Sequence, residues 1–283
     1  MKTIGVIGAG VMGRGVAQNL AKSGFWTIVI DVSEDILAEA REEIERSVRL
    51  GELFSKSEGT EDIETIMSRI IFTTEYQKLQ DADFVIENVP EKLDIKKNVY
   101  RYLDKICKED CIFLVNTSCI SITKIAALTG RAEKVIGTHF MNPVPMKSVI
   151  EVIKGYHTCD ATIESTKALL SLMGKETILV NDLPGFVSNR LSHLLMNEAA
   201  FVVQDQVATP QAVDDIFKKC FGHKMGPLET ADLIGLDTVV DSLEVLYESY
   251  QDTKFRCCPL LKKMVDAGYC GRKTGKGFYN YSF

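Results

Sequence analysis

The chain has 283 residues, 46% of them hydrophobic and 25% charged, a balance that suits packed domains and excludes wholesale disorder. That length is about twice a usual domain, so two domains are expected. Lys+Arg 33 against Asp+Glu 39 gives a net charge of −6, which lacks the basic footprint of a nucleic-acid binder.

The chain opens with MKTIGVIGAGVMG, which reads as a first strand and not as an export signal. No apolar run reaches the roughly 18 residues of a membrane span. The β-rich run TIGVIG at 3–8 leads into GAGVMGRG and the helical pattern VAQNLAKSG. A second buried strand, WTIVI, ends at Asp31, and the amphipathic stretch EDILAEAREEIERSVRL follows it. The polar stretch SKSEGTED at 55–62 is expected at the tip of a helical hairpin. Further apolar runs at 70–72, 84–86, 112–115 and 135–136 alternate with charged helical segments, the pattern of βαβ units on a parallel sheet.

The pattern changes near Asp182-Leu183-Pro184-Gly185. Beyond it, Phe186, Leu191, Leu194, Leu195, Ala199, Phe201 and Val202 recur at helical spacing, and helical stretches follow at 211–220, 228–236, 239–250 and 260–267. Two domains are therefore expected, 1–183 and 184–283. The eight cysteines (107, 111, 119, 159, 220, 257, 258 and 270) form no CxxC pair and read as reduced thiols of a cytoplasmic protein. Four histidines, no two close in sequence, argue against a dedicated metal site.

Three constellations carry chemistry. Gly8-x-Gly10-x-x-Gly13, with Val11 and Met12 inside it, directly follows a strand and opens a helix. The first glycine permits the turn, the second lets a pyrophosphate approach the backbone, and the third allows close helix–strand packing. The helix N-terminus adds free N–H groups and a positive dipole end. Asp31, 18 residues after Gly13, stands where a carboxylate accepts the adenine ribose diol. Residues 32–34 (Val, Ser, Glu) offer no cation for a 2′-phosphate, so NAD is favoured over NADP. An α/β Rossmann-type N-terminal domain with an all-helical C-terminal domain is expected.

The second constellation is Asn116-Thr117-Ser118, at the C-terminal edge of a strand where α/β sheets bind ligands. By itself it equally suits an N-cap for the helix starting near Ile122. The third is GTHFMNPVP at 137–145, ending at Glu151. A strand-end His139 suits a general base, and a carboxylate twelve residues later can orient it and stabilise its cation. A half-buried structural histidine with a surface glutamate is the other reading open at this point.

The blocks GAGVMG, NTS, THFMNPVP, LPGFVSNR, HKMGPLETADLIGLD and GRKTGKGFYNY together resemble the L-3-hydroxyacyl-CoA dehydrogenase family, in its short 3-hydroxybutyryl-CoA form, over residues 4–281. The resemblance implies an NAD-dependent interconversion of 3-hydroxyacyl and 3-ketoacyl thioesters. It places His139 and Glu151 as the catalytic pair, and Ser118 and Asn189 at the substrate. It also places Glu91, Lys96 and Asn116 at the cofactor and Asn142 beside the substrate, and it implies a homodimer. Without it, Lys96 fits a solvated helix face and Asn189 a locally bonded polar group.

Three departures from the family pattern concern the carrier of the acyl group. The chain reads FMNPVPMKSVIEV with Lys147 one position early, and IENVPE where small residues are commoner after the strand glutamate. Residues 41–69 hold five basic side chains (Arg41, Arg46, Arg49, Lys56 and Arg69) against eight acidic ones. Arg46, Arg49 and Lys56 are the candidates for a CoA nucleotide. These features resemble a branch serving polyketide extender units, so an acyl carrier protein is the alternative carrier. A non-catalytic NAD-binding relative would be expected to lack His139 or Glu151. A relative using a catalytic lysine would lack HFMNPVP.

Overall fold

The β-branched run Thr3–Ile7 forms β1, whose last four residues are buried, as a central parallel strand requires. It belongs to a computed structural model that describes residues 2–54 and 61–281, the side chains of 52–54 excepted. The expected hairpin tip therefore falls largely outside the described residues. The described chain divides into two compact units, Met1–Asp182 and Leu183–Phe283.

In the first unit, β1 is followed by α1 (Val11–Lys22), β2 (Trp26–Ile30), α2 (Glu34–Phe54), α3 (Ile63–Ser68), β3 (Ile70–Thr73) and β4 (Phe84–Glu87). Then come α4 (Leu93–Ile106), β5 (Ile112–Asn116), α5 (Ile122–Ala126), β6 (Val135–His139), β7 (Val149–Lys154), α6 (Asp160–Leu172) and β8 (Glu176–Asn181). One eight-stranded sheet runs in the order β3-β2-β1-β4-β5-β6-β7-β8. The order reverses between β1 and β4, which opens a crevice beyond their C-terminal ends. Ile4, Val6, Val29, Ile86 and Leu114 meet Val16, Leu20, Leu37 and Ile44 from α1 and α2 in a single core.

Two strands were not legible in the sequence. β7 runs antiparallel to β6, and β8 pairs parallel with β7 at the sheet edge. Edge position explains the weak signal of β8: its Ile178 and Leu179 remain exposed, so no buried alternation marks it.

The second unit is helical, with α7 (Ser188–Gln204), α8 (Pro210–Phe221), α9 (Pro227–Ile234), α10 (Leu236–Tyr250) and α11 (Pro259–Asp266). Met196, Ala200, Leu236, Val239, Leu243 and Leu261 form its main core. Two fully buried aspartates tie down its last segment. Asp214 accepts from the N–H groups of Leu228 and Glu229 and, at 2.7 Å, from the Tyr279 hydroxyl. Asp232 accepts from the N–H groups of Phe278 and Tyr279 and from the Tyr281 hydroxyl. Burial pushes the Asp232 carboxyl up, and burial beside Asp232 pushes the Tyr281 phenol up to about 12. A Cβ at Gly277 would lie 2.1 Å from Asp232 Oδ1, so only glycine fits. The blocks HKMGPLETADLIGLD and GRKTGKGFYNY thus serve packing in this unit. No described helix is long and apolar enough to cross a membrane.

Candidate active site

The glycine loop sits at the switch point of the sheet. Gly8 takes φ +91, and a Cβ there would lie 2.7 Å from the Asn88 carbonyl. A Cβ at Gly13 would fall 1.7 Å from the Gly8 carbonyl, so this position keeps α1 tight against β1. Gly10, the N-cap of α1, has no atom within 4 Å of its Cβ position and no side-chain cap. A helix N-terminus with unused N–H groups and open space in front of it fits a pyrophosphate. Val11 is exposed beside it, and Met12 is half-buried. Asp31 stands at the end of β2, where its Oδ2 accepts from Ala9 N at 2.7 Å and its Oδ1 from Val32 N at 2.7 Å. The same carboxylate that suits a ribose diol therefore also braces the loop.

His139 closes β6, and the antiparallel register sets it directly opposite Glu151 of β7. Opposed residues share one face of a sheet. Glu151 Oε2 lies 2.9 Å from His139 Nδ1, and both residues are buried. An ionised carboxylate only accepts, so Nδ1 carries a proton, and in the neutral ring Nε2 presents its lone pair. Ser118 Oγ, 3.2 Å from Nε2, donates to it in that tautomer. Lys175 steadies the turn after His139, donating to the carbonyls of Val144 and Lys147 at 2.7 and 2.8 Å. Asn142 is exposed within that turn.

A buried ionic network lies behind the serine. Lys96 of α4 is fully buried, and its Nζ donates to both Glu87 oxygens and to the Asn116 carbonyl, each at 2.8 Å. Glu91 Oε2 lies 3.7 Å from the same nitrogen. The other oxygen, Oε1, gathers the Thr117 hydroxyl and the N–H groups of Ser118 and Cys119. Burial pushes the Glu87 carboxyl up, and Lys96 opposes that push. The sequence did not mark Glu87, although an ionisable residue closing the apolar strand FVIE demands a buried partner. Asn189 lies in the first turn of α7 in the second unit, where its carbonyl accepts from His193 Nδ1 at 2.9 Å. Arg46 pairs with Glu43 at 2.8 Å and Arg49 with Glu45 at 4.0 Å, all on α2, while Lys56 is outside the described residues.

Comparison with known proteins agrees with this architecture along its length. Residues 3–183 match the NAD-binding domain of 3-hydroxyacyl-CoA dehydrogenase, and residues 185–281 match the C-terminal domain of the same family. The chain belongs to the 3-hydroxyacyl-CoA dehydrogenase family. It is 46% identical over 277 residues to a probable 3-hydroxybutyryl-CoA dehydrogenase of Deinococcus radiodurans, covering 98% of this chain and 99% of that protein. Identity to the 3-hydroxybutyryl-CoA dehydrogenase of Bradyrhizobium diazoefficiens is 42%, over 99% and 96% of the two chains. The crystal structure of (S)-3-hydroxybutyryl-CoA dehydrogenase from Ralstonia eutropha superposes with a TM-score of 0.95 at 40% identity, covering both chains completely. The protein is an NAD-dependent 3-hydroxyacyl dehydrogenase with a Rossmann-type N-terminal domain and a helical C-terminal region.

In this member of the family the Lys96–Glu87 pair is completely buried, so removing one partner strands a charge. Lys96→Met is expected to cost about 3–5 kcal/mol of stability. Lys96→Met/Glu87→Leu is expected to recover much of that loss in denaturant melts. A single variant as stable as the parent contradicts the pairing.

Proposed function

We propose that the enzyme interconverts a short 3-hydroxyacyl-CoA and its 3-keto form, with His139 as the acid–base group. The observation that carries this reading is His139 held between Glu151 and Ser118 at the end of β6. Gly8, Gly10, Val11, Met12, Gly13 and Asp31 would hold NAD, with Glu91, Lys96 and Asn116 shaping the far side of its crevice. When bound, NAD supplies the hydride acceptor and donor. His139 Nε2 takes the 3-hydroxyl proton as the alcohol is oxidised and returns it in reduction. Glu151 compensates the charge of the imidazolium formed in that step, and its bond to Nδ1 keeps Nε2 facing the substrate. Ser118 holds the reacting oxygen, and Asn189 and Asn142 serve the acyl thioester.

CoA is the proposed carrier, since the relatives named above act on CoA thioesters. A short acyl group follows from the same relatives. A homodimer through the second unit belongs to the same proposal; exposed Leu191, Ile216 and Phe221 support it, and sedimentation as a monomer contradicts it.

His139→Ala is expected to lower kcat by roughly 10²–10⁴-fold with little change in NADH affinity. Glu151→Gln is expected to lower kcat while leaving the fold intact. Near-full turnover in His139→Ala, or a pH profile unmoved in Glu151→Gln, contradicts the assignment.

Arg46 and Arg49 of α2 are exposed and already paired with glutamates, which leaves little field for a nucleotide phosphate. A pantetheine thioester is therefore expected to be used nearly as well as its CoA counterpart. A CoA preference above about 100-fold in kcat/KM, roughly 2.7 kcal/mol, means that the nucleotide is recognised.

A further inference from the structure

Asn88 is the residue directly after β4. It stands at the switch point of the sheet, between the glycine loop and the catalytic strand ends. Its N–H donates to the Ile7 carbonyl at 2.6 Å, and its own carbonyl backs Gly8. Its side chain faces the other way along the sheet edge. Nδ2 donates to the Ile86 carbonyl at 3.0 Å, and Oδ1 accepts from Asn116 Nδ2 at 2.7 Å. Asn116 Oδ1 in turn accepts from Phe140 N, the amide following His139, at 3.3 Å.

Both carboxamide orientations are fixed by the backbone. Nδ2 of Asn88 faces a carbonyl and Oδ1 of Asn116 faces an N–H, so neither amide can flip without setting like against like. Two carboxamides in series thus join the end of β4 to the end of β6. Asn116 is gripped a second time by Lys96 at its carbonyl. The residue that leads into Ser118 is therefore held at its side chain by Asn88 and at its backbone by Lys96.

We propose that Asn88 is a positioning residue for the dehydrogenase reaction, acting through Asn116 on the strand ends that carry Ser118 and His139. This inference rests on the reading of His139 as the acid–base group. Removing the Asn88 carboxamide takes away the acceptor of Asn116 Nδ2, and with it the constraint that aims Asn116 Oδ1 at Phe140. The backbone bond of residue 88 to Ile7 and its support of Gly8 remain, so the glycine loop keeps its shape. Lys96 still holds the Asn116 carbonyl on the cofactor side, so the loss falls on the aim of the catalytic pair more than on cofactor binding. Small errors of aim are costly in turnover.

The test is a double-mutant cycle of Asn88→Ala, Asn116→Ala and the double variant, with kcat for 3-hydroxybutyryl-CoA oxidation and NADH Kd as readouts. Residue 88 is half-buried, and alanine fits within the space of asparagine, so the fold is expected to persist by circular dichroism. Asn88→Ala is expected to lower kcat about tenfold, the worth of one well-made hydrogen bond, and to leave NADH Kd within about threefold. In the Asn116→Ala background the same change is expected to have no further effect on kcat. An unchanged kcat in Asn88→Ala overturns the proposal. So does a tenfold loss that persists without Asn116, or a rise in NADH Kd matching the fall in kcat. His139→Ala assayed alongside separates the two readings. If it is inactive while Asn88→Ala is fully active, only the positioning role fails; if it is active, the assignment of the base fails.

Discussion

The site depends on one reversal of strand direction. Six parallel strands end at a common edge, and β7 then returns antiparallel beside β6, bringing Glu151 level with His139. Directly opposed residues of an antiparallel pair sit on one face within side-chain reach, so sheet register alone sets the 2.9 Å contact. A parallel β7 in the same place would need a long crossover and another register. The hydrogen bond to Glu151 assigns the imidazole proton to Nδ1. From that assignment follows the donor role of Ser118 toward Nε2.

The remaining polar groups hold strand ends still. Glu91 collects the N–H groups of Ser118 and Cys119, which shapes the turn that carries the serine. Lys96 satisfies Glu87 and the Asn116 carbonyl together, so the two charges inside the unit compensate each other. Such pairs are poor sources of net stability, because desolvation offsets their attraction. Their contribution here is geometric, since each leaves its partners one arrangement. Asp31 follows the same rule at the glycine loop by holding the Ala9 amide.

Much of this was legible in the sequence where local rules are strong. The glycine spacing, Asp31 and the alternation of apolar runs with helices marked the Rossmann-type domain, and the change of pattern after Pro184 marked the helical region. From the residues alone the pairing of His139 with Glu151 was legible only as a spacing of twelve residues, which the family resemblance made specific, since no periodic signal announced β7 or β8. Taken on its own Lys96 fitted a solvated helix face, and only the family resemblance placed it at the cofactor, because a sequence does not reveal that Glu87 waits beneath it. Asp214 and Asp232 were silent for a related reason. Their partners are backbone amides and hydroxyls far along the chain, and hydrogen bonding across such separations has no local signature.

The contact with Glu151 fixes the proton of His139 on Nδ1. Nitrogen NMR of the protein labelled at its histidines reads this directly, with His139→Ala identifying the resonances. The expected result is a His139 ring with a protonated Nδ1, a low-field proton bonded to it and an unprotonated Nε2; Glu151→Gln should lose the low-field proton. A neutral His139 ring protonated on Nε2, or one indifferent to the charge at position 151, would contradict the account.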